Sequence, residues 1–387
     1  MNIEIRKAGF INKGAELMLH AVCQQVRQKY PDALLAMAPI FGGGNQLSEP
    51  YTAYFKQAEL GLLQKAYYPR YKLQWGDLLS FFPSSLLKMY GIVLDKDLDV
   101  VIDTAGFAYT DQWGDASCLE LSRCCKKWRK NETKLILLPQ AFGPFTSKKN
   151  QTAMKIIADQ ADLIFARDSV SYQHLIGIVG EQSNIKIAPD FTILIKGMLP
   201  NDFDIENNKF CLVPNYRMID KNNAAQSRAY LPFMINCAKY LLKRDQKPFL
   251  LIHEGKDDLM LAKQINKAVN NKMPIVKESH PLKIKGIIGN CEGIISSRFH
   301  GLVSALSQGI PSLATGWSHK YKMLFADYGC SQGLLDVLMS EAKLYQQIDL
   351  VIDHQAKIEL RKILLEHAQK IKTTSHLMWQ EVFHVID

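Results

Sequence analysis

The stretch IISSRFHGLVSALSQGIPSLATG, Ile294 to Gly316, places Arg298 and His300 two residues apart where an apolar strand hands over to a small-residue helix. A cation and an imidazole at such a junction point to chemistry on an anion. Arg298 offers a planar fork to phosphate or carboxylate. His300 belongs to the one side-chain type that ordinarily titrates near neutral pH, which suits general acid–base work. It also falls in the first turn of the following helix. The positive end of that helix disfavours a charged imidazole and attracts an anion to the same place. Together the two residues suit a small phosphorylated acid as substrate.

Other candidates recur wherever a predicted strand ends. GFINKGAELML (9–19) spaces Gly9 and Gly14 like a phosphate loop, but Ala15-Glu16 stand where a nucleoside-triphosphate loop needs Lys followed by Ser or Thr. What survives is a helix start whose exposed amides, flanked by Asn12, Lys13 and Gly14, would hold an anion or a hydroxyl. LLPQAFGPF ends a strand on Gln140, and FARDSVSYQHL ends one on Arg167, with Asp168 or Ser169 as the next N-cap. IAPDF supplies Asp190, VPNYR supplies Asn215 and Arg217, and HEGKDDLMLA supplies His253 and Glu254, with Asp257 or Asp258 capping the helix that follows. GWSHKYK adds His319, Lys320 and Lys322. Each residue taken alone also fits a plain turn, a cap or a solvated surface. Arg217, Arg298, His300 and Lys320, however, all fall on one side, which would make a positive pocket. No Ser-His-Asp or Cys-His arrangement is legible. Asp95-Lys96-Asp97 spells the acidic metal motif of nucleotide-sugar enzymes but sits on a charged connector.

These residues need strand ends to stand on. The first half of the chain alternates short apolar strands (around Ile3–Ile5, LDVVID, TKLILLPQ, LIFAR and IKIAPD) with helical patterns such as AELMLHAVCQQV and CLELSRCCKKW. The stretch 198–209, MLPNDFDIENNK, lacks periodicity and reads as a linker. The second half repeats the alternation with FCLVPN, PFLLIHE, PIVKE, GIISS and PSLATG as strands. Strands alternating with helices imply an α/β protein with doubly wound parallel sheets, whose ligands bind beyond the carboxyl ends of the strands. The expected division is 1–200, 201–345 and a C-terminal helical segment 346–387 that folds back, with the two Rossmann-like domains facing a cleft.

The 387 residues exceed a usual single domain, and 47% apolar with 22% charged residues is ordinary for a globular chain that buries real cores. No run approaches the ~20 apolar residues of a membrane-spanning helix, and MNIEIRKAGF has no signal-peptide core. The expected location is the cytoplasm. Eight scattered cysteines without zinc spacing read as reduced thiols, so no metal is expected. The net charge of +9 is diffuse, apart from the KKWRK knot at 126–130, and no nucleic-acid module is recognisable. An anionic small substrate fits that excess, and it is compatible with peripheral contact at the inner face of a membrane.

In order along the chain, NKGAELML, DTAGFAYTD, LLPQAFGPF, FARDSVS, APDF, VPNYR, HEGKDD, SSRFHGLVSALSQGIPSLATG and HKYK resemble the polysaccharide pyruvyl transferase family across about residues 1–335. The resemblance implies a two-domain, glycosyltransferase-B-like protein. It implies transfer of pyruvate from phosphoenolpyruvate to a sugar or lipid-linked oligosaccharide in cell-surface polysaccharide synthesis, as a ketal on two hydroxyls, with no cofactor. Under it, Arg298 with Arg167 or Lys320 would hold the donor's phosphate and carboxylate, and His300 would serve as acid–base. Asn12, Lys13 and the turn from Asp103 to Asp111 would face the acceptor. One departure stands out: the family's glycine-rich turn near residue 100 is here Asp103-Thr-Ala-Gly-Phe followed by TDQWG, which bears on acceptor choice. A nucleotide-sugar-dependent glycosyltransferase and a non-catalytic member of an assembly complex are the competing readings.

Overall fold

The computed structural model describes residues 1–39, 49–67, 75–316 and 318–387. The chain divides into two compact units. The first comprises Met1–Phe10, Met18–Phe191 and Thr374–Asp387; the second comprises Ile11–Leu17 and Thr192–Thr373. The division therefore falls at residue 191 rather than 200. The C-terminal helix His354–Ile386 is shared between the units instead of forming a segment of its own.

The first unit holds eight strands: β1 (Asn2–Arg6), β2 (Leu34–Met37), β3 (Leu63–Lys65), β4 (Ile92–Val93), β5 (Val100–Asp103), β6 (Lys134–Gln140), β7 (Leu163–Ala166) and β8 (Ile185–Ile187). They form one parallel sheet in the order β4-β3-β2-β1-β5-β6-β7-β8. β2, β3 and β4 escape the sequence reading; β4 has only two residues, and Gln64 and Lys65 break the apolar pattern of β3.

The second unit holds β9 (Phe210–Val213), β10 (Pro248–Ile252), β11 (Ile275–Lys277), β12 (Gly293–Ser296) and β13 (Ser312–Ala314), also all parallel, in the order β11-β10-β9-β12-β13. All five match expected strands. Strands buried on both faces read as continuous apolar runs, and β9 shows why. Phe210 and Leu212 enter one core cluster, with Tyr230 and Met234, while Cys211 and Val213 enter another, with Phe249 and Ile288.

Each sheet reverses its winding at one point, between β1 and β5 in the first unit and between β9 and β12 in the second. Open α/β sheets bind ligands outside the carboxyl ends of the strands at such a switch point. Arg6 and Asp103 are register partners at the first, and Ser296 pairs with Val213 at the second, just before Arg298.

Candidate active site

The turn after β12 is built before any charge is placed on it. Ser297 is fully buried, and its backbone oxygen accepts from Asn215 Nδ2 at 2.7 Å and from the Tyr321 hydroxyl at 2.9 Å. Its hydroxyl meets Thr315 Oγ1 at 2.7 Å and accepts from Tyr230 Oη at 2.8 Å. Arg298 N donates to Ser296 Oγ at 3.0 Å. The double serine thus ties the ends of β9, β12 and β13 together through hydroxyls. Asn215, expected to touch substrate, is spent on the Ser297 carbonyl and on capping Arg217 N at 2.9 Å.

On that frame Arg298 is not the bare cation the sequence suggests. Its Nε and Nη2 donate to both oxygens of Asp258 (Nε to Oδ2 at 3.0 Å, Nη2 to Oδ1 at 2.7 Å), and Nη1 donates to Glu254. Bidentate pairing of this kind fixes a guanidinium in direction as well as in charge. Asp258, one of the two aspartates expected to cap the helix, is wholly buried against Arg298, its Oδ1 also accepts from Tyr216 N at 2.9 Å, and Glu254 stands at the N-cap. Burial pushes its carboxyl above the ordinary range, more than Arg298 pulls it down, and the neighbouring Glu254 adds to the rise. Two carboxylates answering one guanidinium leave the clamp with net negative charge. The signal was present in HEGKDD, where Glu254 precedes the helix Gly255–Ala268 in extended backbone and Asp258 follows in its first turn.

The residues 11–17 that join this unit bring the second component. Asn12 Oδ1 accepts from Gly14 N at 2.9 Å and from Ala15 N at 3.2 Å, starting the helix Lys13–Lys29, and Asn12 Nδ2 donates to Glu254 Oε2 at 3.3 Å. Lys13 Nζ pairs with Glu16 at 2.6 Å. Gly14 has a specific reason to be glycine: a Cβ there would lie 2.2 Å from His300 Nδ1 and 2.7 Å from its Cγ. The imidazole is seated directly on the Gly14 backbone. His300 lies in the first turn of the helix Phe299–Leu306, where the dipole favours an anion.

His253, the first residue beyond β10, completes the cluster. It is buried, its Cδ2 lies 3.9 Å from where a Cβ on Gly301 would be, and its Nδ1 has no partner from another described residue. Burial, followed by the charges of Arg298, His300 and Lys13, pushes its pKa well below the usual histidine value, so it is a neutral imidazole. Lys320 stands over the Phe299 ring at 5.0 Å and near the Tyr321 ring at 5.6 Å. Arg217 does not join this cluster; it pairs with Asp220 one helical turn along.

The remaining candidates lie in the first unit and form two groups. Asp103 is fully buried and takes the Tyr109 hydroxyl at 2.7 Å, Gln140 Nε2 at 3.3 Å, Ala105 N at 3.1 Å and Arg6 Nε at 3.4 Å. Arg6 also reaches Glu120 at 3.0 Å, as does Lys7, and Glu120 accepts from the Tyr67 hydroxyl at 3.1 Å. Burial raises the Glu120 carboxyl, but Arg6 and Lys7 outweigh it and hold it below its ordinary value. Arg6 and Glu120 were missed because neither stands in a turn that looks chemical. Arg167 forms a separate buried pair with Asp190 at 3.3 Å, and Asp168 caps its helix through Ser171 N at 2.7 Å.

Among the described residues no cluster of His, Cys, Asp or Glu is placed to hold a metal ion, and no described helix is long and apolar enough to cross a membrane. No curated protein matches the chain by sequence. Solved structures share its fold at low identity. Anabaena HepE in complex with UDP-glucose is 14% identical over 99% of both chains, with a TM-score of 0.59. Neisseria meningitidis UDP-GlcNAc 2-epimerase bound to UDP-GlcNAc is 10% identical over 99% of this chain and 100% of that one, with a TM-score of 0.57. Staphylococcus aureus MnaA with UDP is 12% identical over 94% and 91%, with a TM-score of 0.56. All three have the glycosyltransferase-B-like architecture of two parallel-sheet domains. The model of the polysaccharide pyruvyl transferase family matches residues 12–319, from the asparagine that starts the first helix to the histidine that starts the HKYK segment, and the chain belongs to that family.

Proposed function

We propose that this transferase of polysaccharide biosynthesis moves the pyruvyl group of phosphoenolpyruvate onto two hydroxyls of a sugar. The observation that carries the reading is the seating of His300: an imidazole at a helix N-terminus, packed on the Gly14 backbone and beside a fixed Arg298 clamp. The helix dipole of Phe299–Leu306, with Lys320, would receive the donor's phosphate. Arg298 works mainly by position, because Asp258 and Glu254 already answer its charge. His300 takes the proton from the first sugar hydroxyl as its oxygen bonds to C2 of the donor, and returns it to C3, which becomes a methyl group. The second hydroxyl then displaces phosphate from C2. Its proton leaves with the phosphate, and the ketal closes. The dry, neutral His253 behind the turn adds no charge that would compete for the donor.

The test is phosphate release from phosphoenolpyruvate by the full chain in the presence of sugar or lipid-linked sugar acceptors. Release that depends on acceptor and disappears in His300→Ala supports the reading. No release, together with acceptor-dependent cleavage of UDP-glucose, would replace it with a glycosyl transfer. Pathway output unchanged by His300→Ala in cells would leave only a non-catalytic role.

A further inference from the structure

The first unit carries an apolar surface that the chemistry above does not use. Residues 78–90, LLSFFPSSLLKMY, connect a short turn to the helix Ser84–Met89. Leu87 points inward, joining Ala66 and Leu94 in a small core against which the partly buried Leu79 also packs. Six others face out: Phe81 is 92% exposed, Met89 83%, Leu78 77% and Tyr90 76%, with Phe82 and Leu86 also exposed. A surface helix ordinarily turns its apolar face to the core and its polar face to water; this one buries Leu87 but leaves Leu86 and Met89 in solvent as well. The segment is also tied down. Ser84 Oγ donates to Asp97 Oδ1 at 2.8 Å, and Lys96 Nζ donates to Ser80 O at 2.8 Å. Contiguous exposed apolar area of this kind marks an interaction site.

Charge selects the partner. Residues 78–94 contain Lys88 and no Asp or Glu, and Lys96 is exposed at the base of the tip, in a chain of net charge +9. The nearby Asp95 is buried and paired with Lys65 at 2.8 Å and Lys127 at 3.4 Å, which leaves Asp97, held by Ser84, as the carboxylate at the base of the segment. Two exposed phenylalanines, an exposed tyrosine and two lysines within residues 78–96 match the composition of a bilayer interface, where rings enter the acyl boundary and lysines reach headgroup phosphates.

We propose that residues 78–90 are a wedge that docks the first unit on an anionic lipid surface. The inference stands apart from the choice of donor, because it rests on this segment alone.

Flotation of the full chain with phosphatidylcholine vesicles, with and without phosphatidylglycerol, tests it. The wild type should float with the anionic vesicles and much less with neutral ones. Phe81→Ser/Phe82→Ser should lower the partition coefficient roughly tenfold or more. Met89→Ser/Tyr90→Ser should do the same, while Leu377→Ser, an exposed apolar residue elsewhere, should leave it unchanged. Thermal melts of each variant verify folding. Failure of the wild type to float, or equal flotation of all variants, overturns the proposal. So does a wild-type dimer in sedimentation that the phenylalanine variant dissolves, which would make a second copy the occupant.

Discussion

Both units build the same device at the same place in the fold, and the differences show what each is for. At the switch point of the first sheet Arg6 is held by Asp103 and Glu120; at that of the second Arg298 is held by Asp258 and Glu254. In the first unit Lys7 brings a second cation, so two positive charges face two carboxylates, and the surrounding groups are the Tyr67 and Tyr109 hydroxyls. In the second unit one guanidinium faces two carboxylates, and the neighbours are His253 and His300. Phenolic hydroxyls titrate far above neutrality, and burial keeps His253 a neutral imidazole. The first clamp therefore presents hydroxyls around its ion pairs, and the second presents imidazole nitrogens.

Activity should separate the two most widely. His300→Gln should lower kcat by about 10²- to 10⁴-fold, the usual loss with an acid–base group. Gly14→Ala, which improves helix propensity, should still lower kcat by about 10²-fold, because its methyl displaces the imidazole. Tyr109→Phe removes one hydroxyl from the first clamp and should leave kcat within about twofold, with ~1 kcal/mol lost in stability. Steady-state kinetics on phosphoenolpyruvate and acceptor read all three. Equal losses for Tyr109→Phe and His300→Gln would end the distinction.

Stability should separate them less, and for a countable reason. Arg298→Met leaves the buried Asp258 with the Tyr216 amide as its one remaining donor, and removing one partner of such a pair costs about 3–5 kcal/mol. Arg6→Met leaves Asp103 with Tyr109, Gln140 and Ala105 N, so about 1–3 kcal/mol is expected. Arg298→Met/Asp258→Leu should recover most of the first loss. Urea unfolding measures these values, and a larger cost for Arg6→Met would contradict the donor count.

The sequence carried the fold of the second unit because its strands are apolar on both faces and end in punctuating turns. It missed the four-residue β2, and also β3 and β4, where Gln64 and Lys65 interrupt the one and two residues make up the other. At the site, the SRFH turn and NKG start were legible, since a histidine and a glycine stand out where a strand gives way to a helix. Their contact was not: Gly14 and His300 are far apart in sequence, and only folding shows the glycine to be the seat of the imidazole. The positive pocket was misjudged for a related reason. Counting cations at strand ends cannot reveal that Asp258 turns inward instead of capping its helix, or that Arg217 pairs locally with Asp220.

The ratio of charges gives the smallest expected effect and the sharpest sign. Asp258 has a folded-state pKa above its ordinary 3.8, because burial and Glu254 outweigh the shared Arg298. Between those values the folded state binds more protons than the unfolded one, so this group's contribution to stability grows as pH falls through the raised value and is lost as pH rises. Glu120 is the opposite case. Its folded pKa lies below the ordinary 4.5, because Arg6 and Lys7 outweigh burial, so its contribution is present above that value and lost as pH falls through the folded pKa. Unfolding free energies of wild type, Asp258→Asn and Glu120→Gln, followed from neutral pH down through the carboxylate range, should diverge in opposite senses. The wild-type advantage over Glu120→Gln should shrink on acidification, and that over Asp258→Asn should grow. Parallel curves would mean that the two clamps carry the same charge balance.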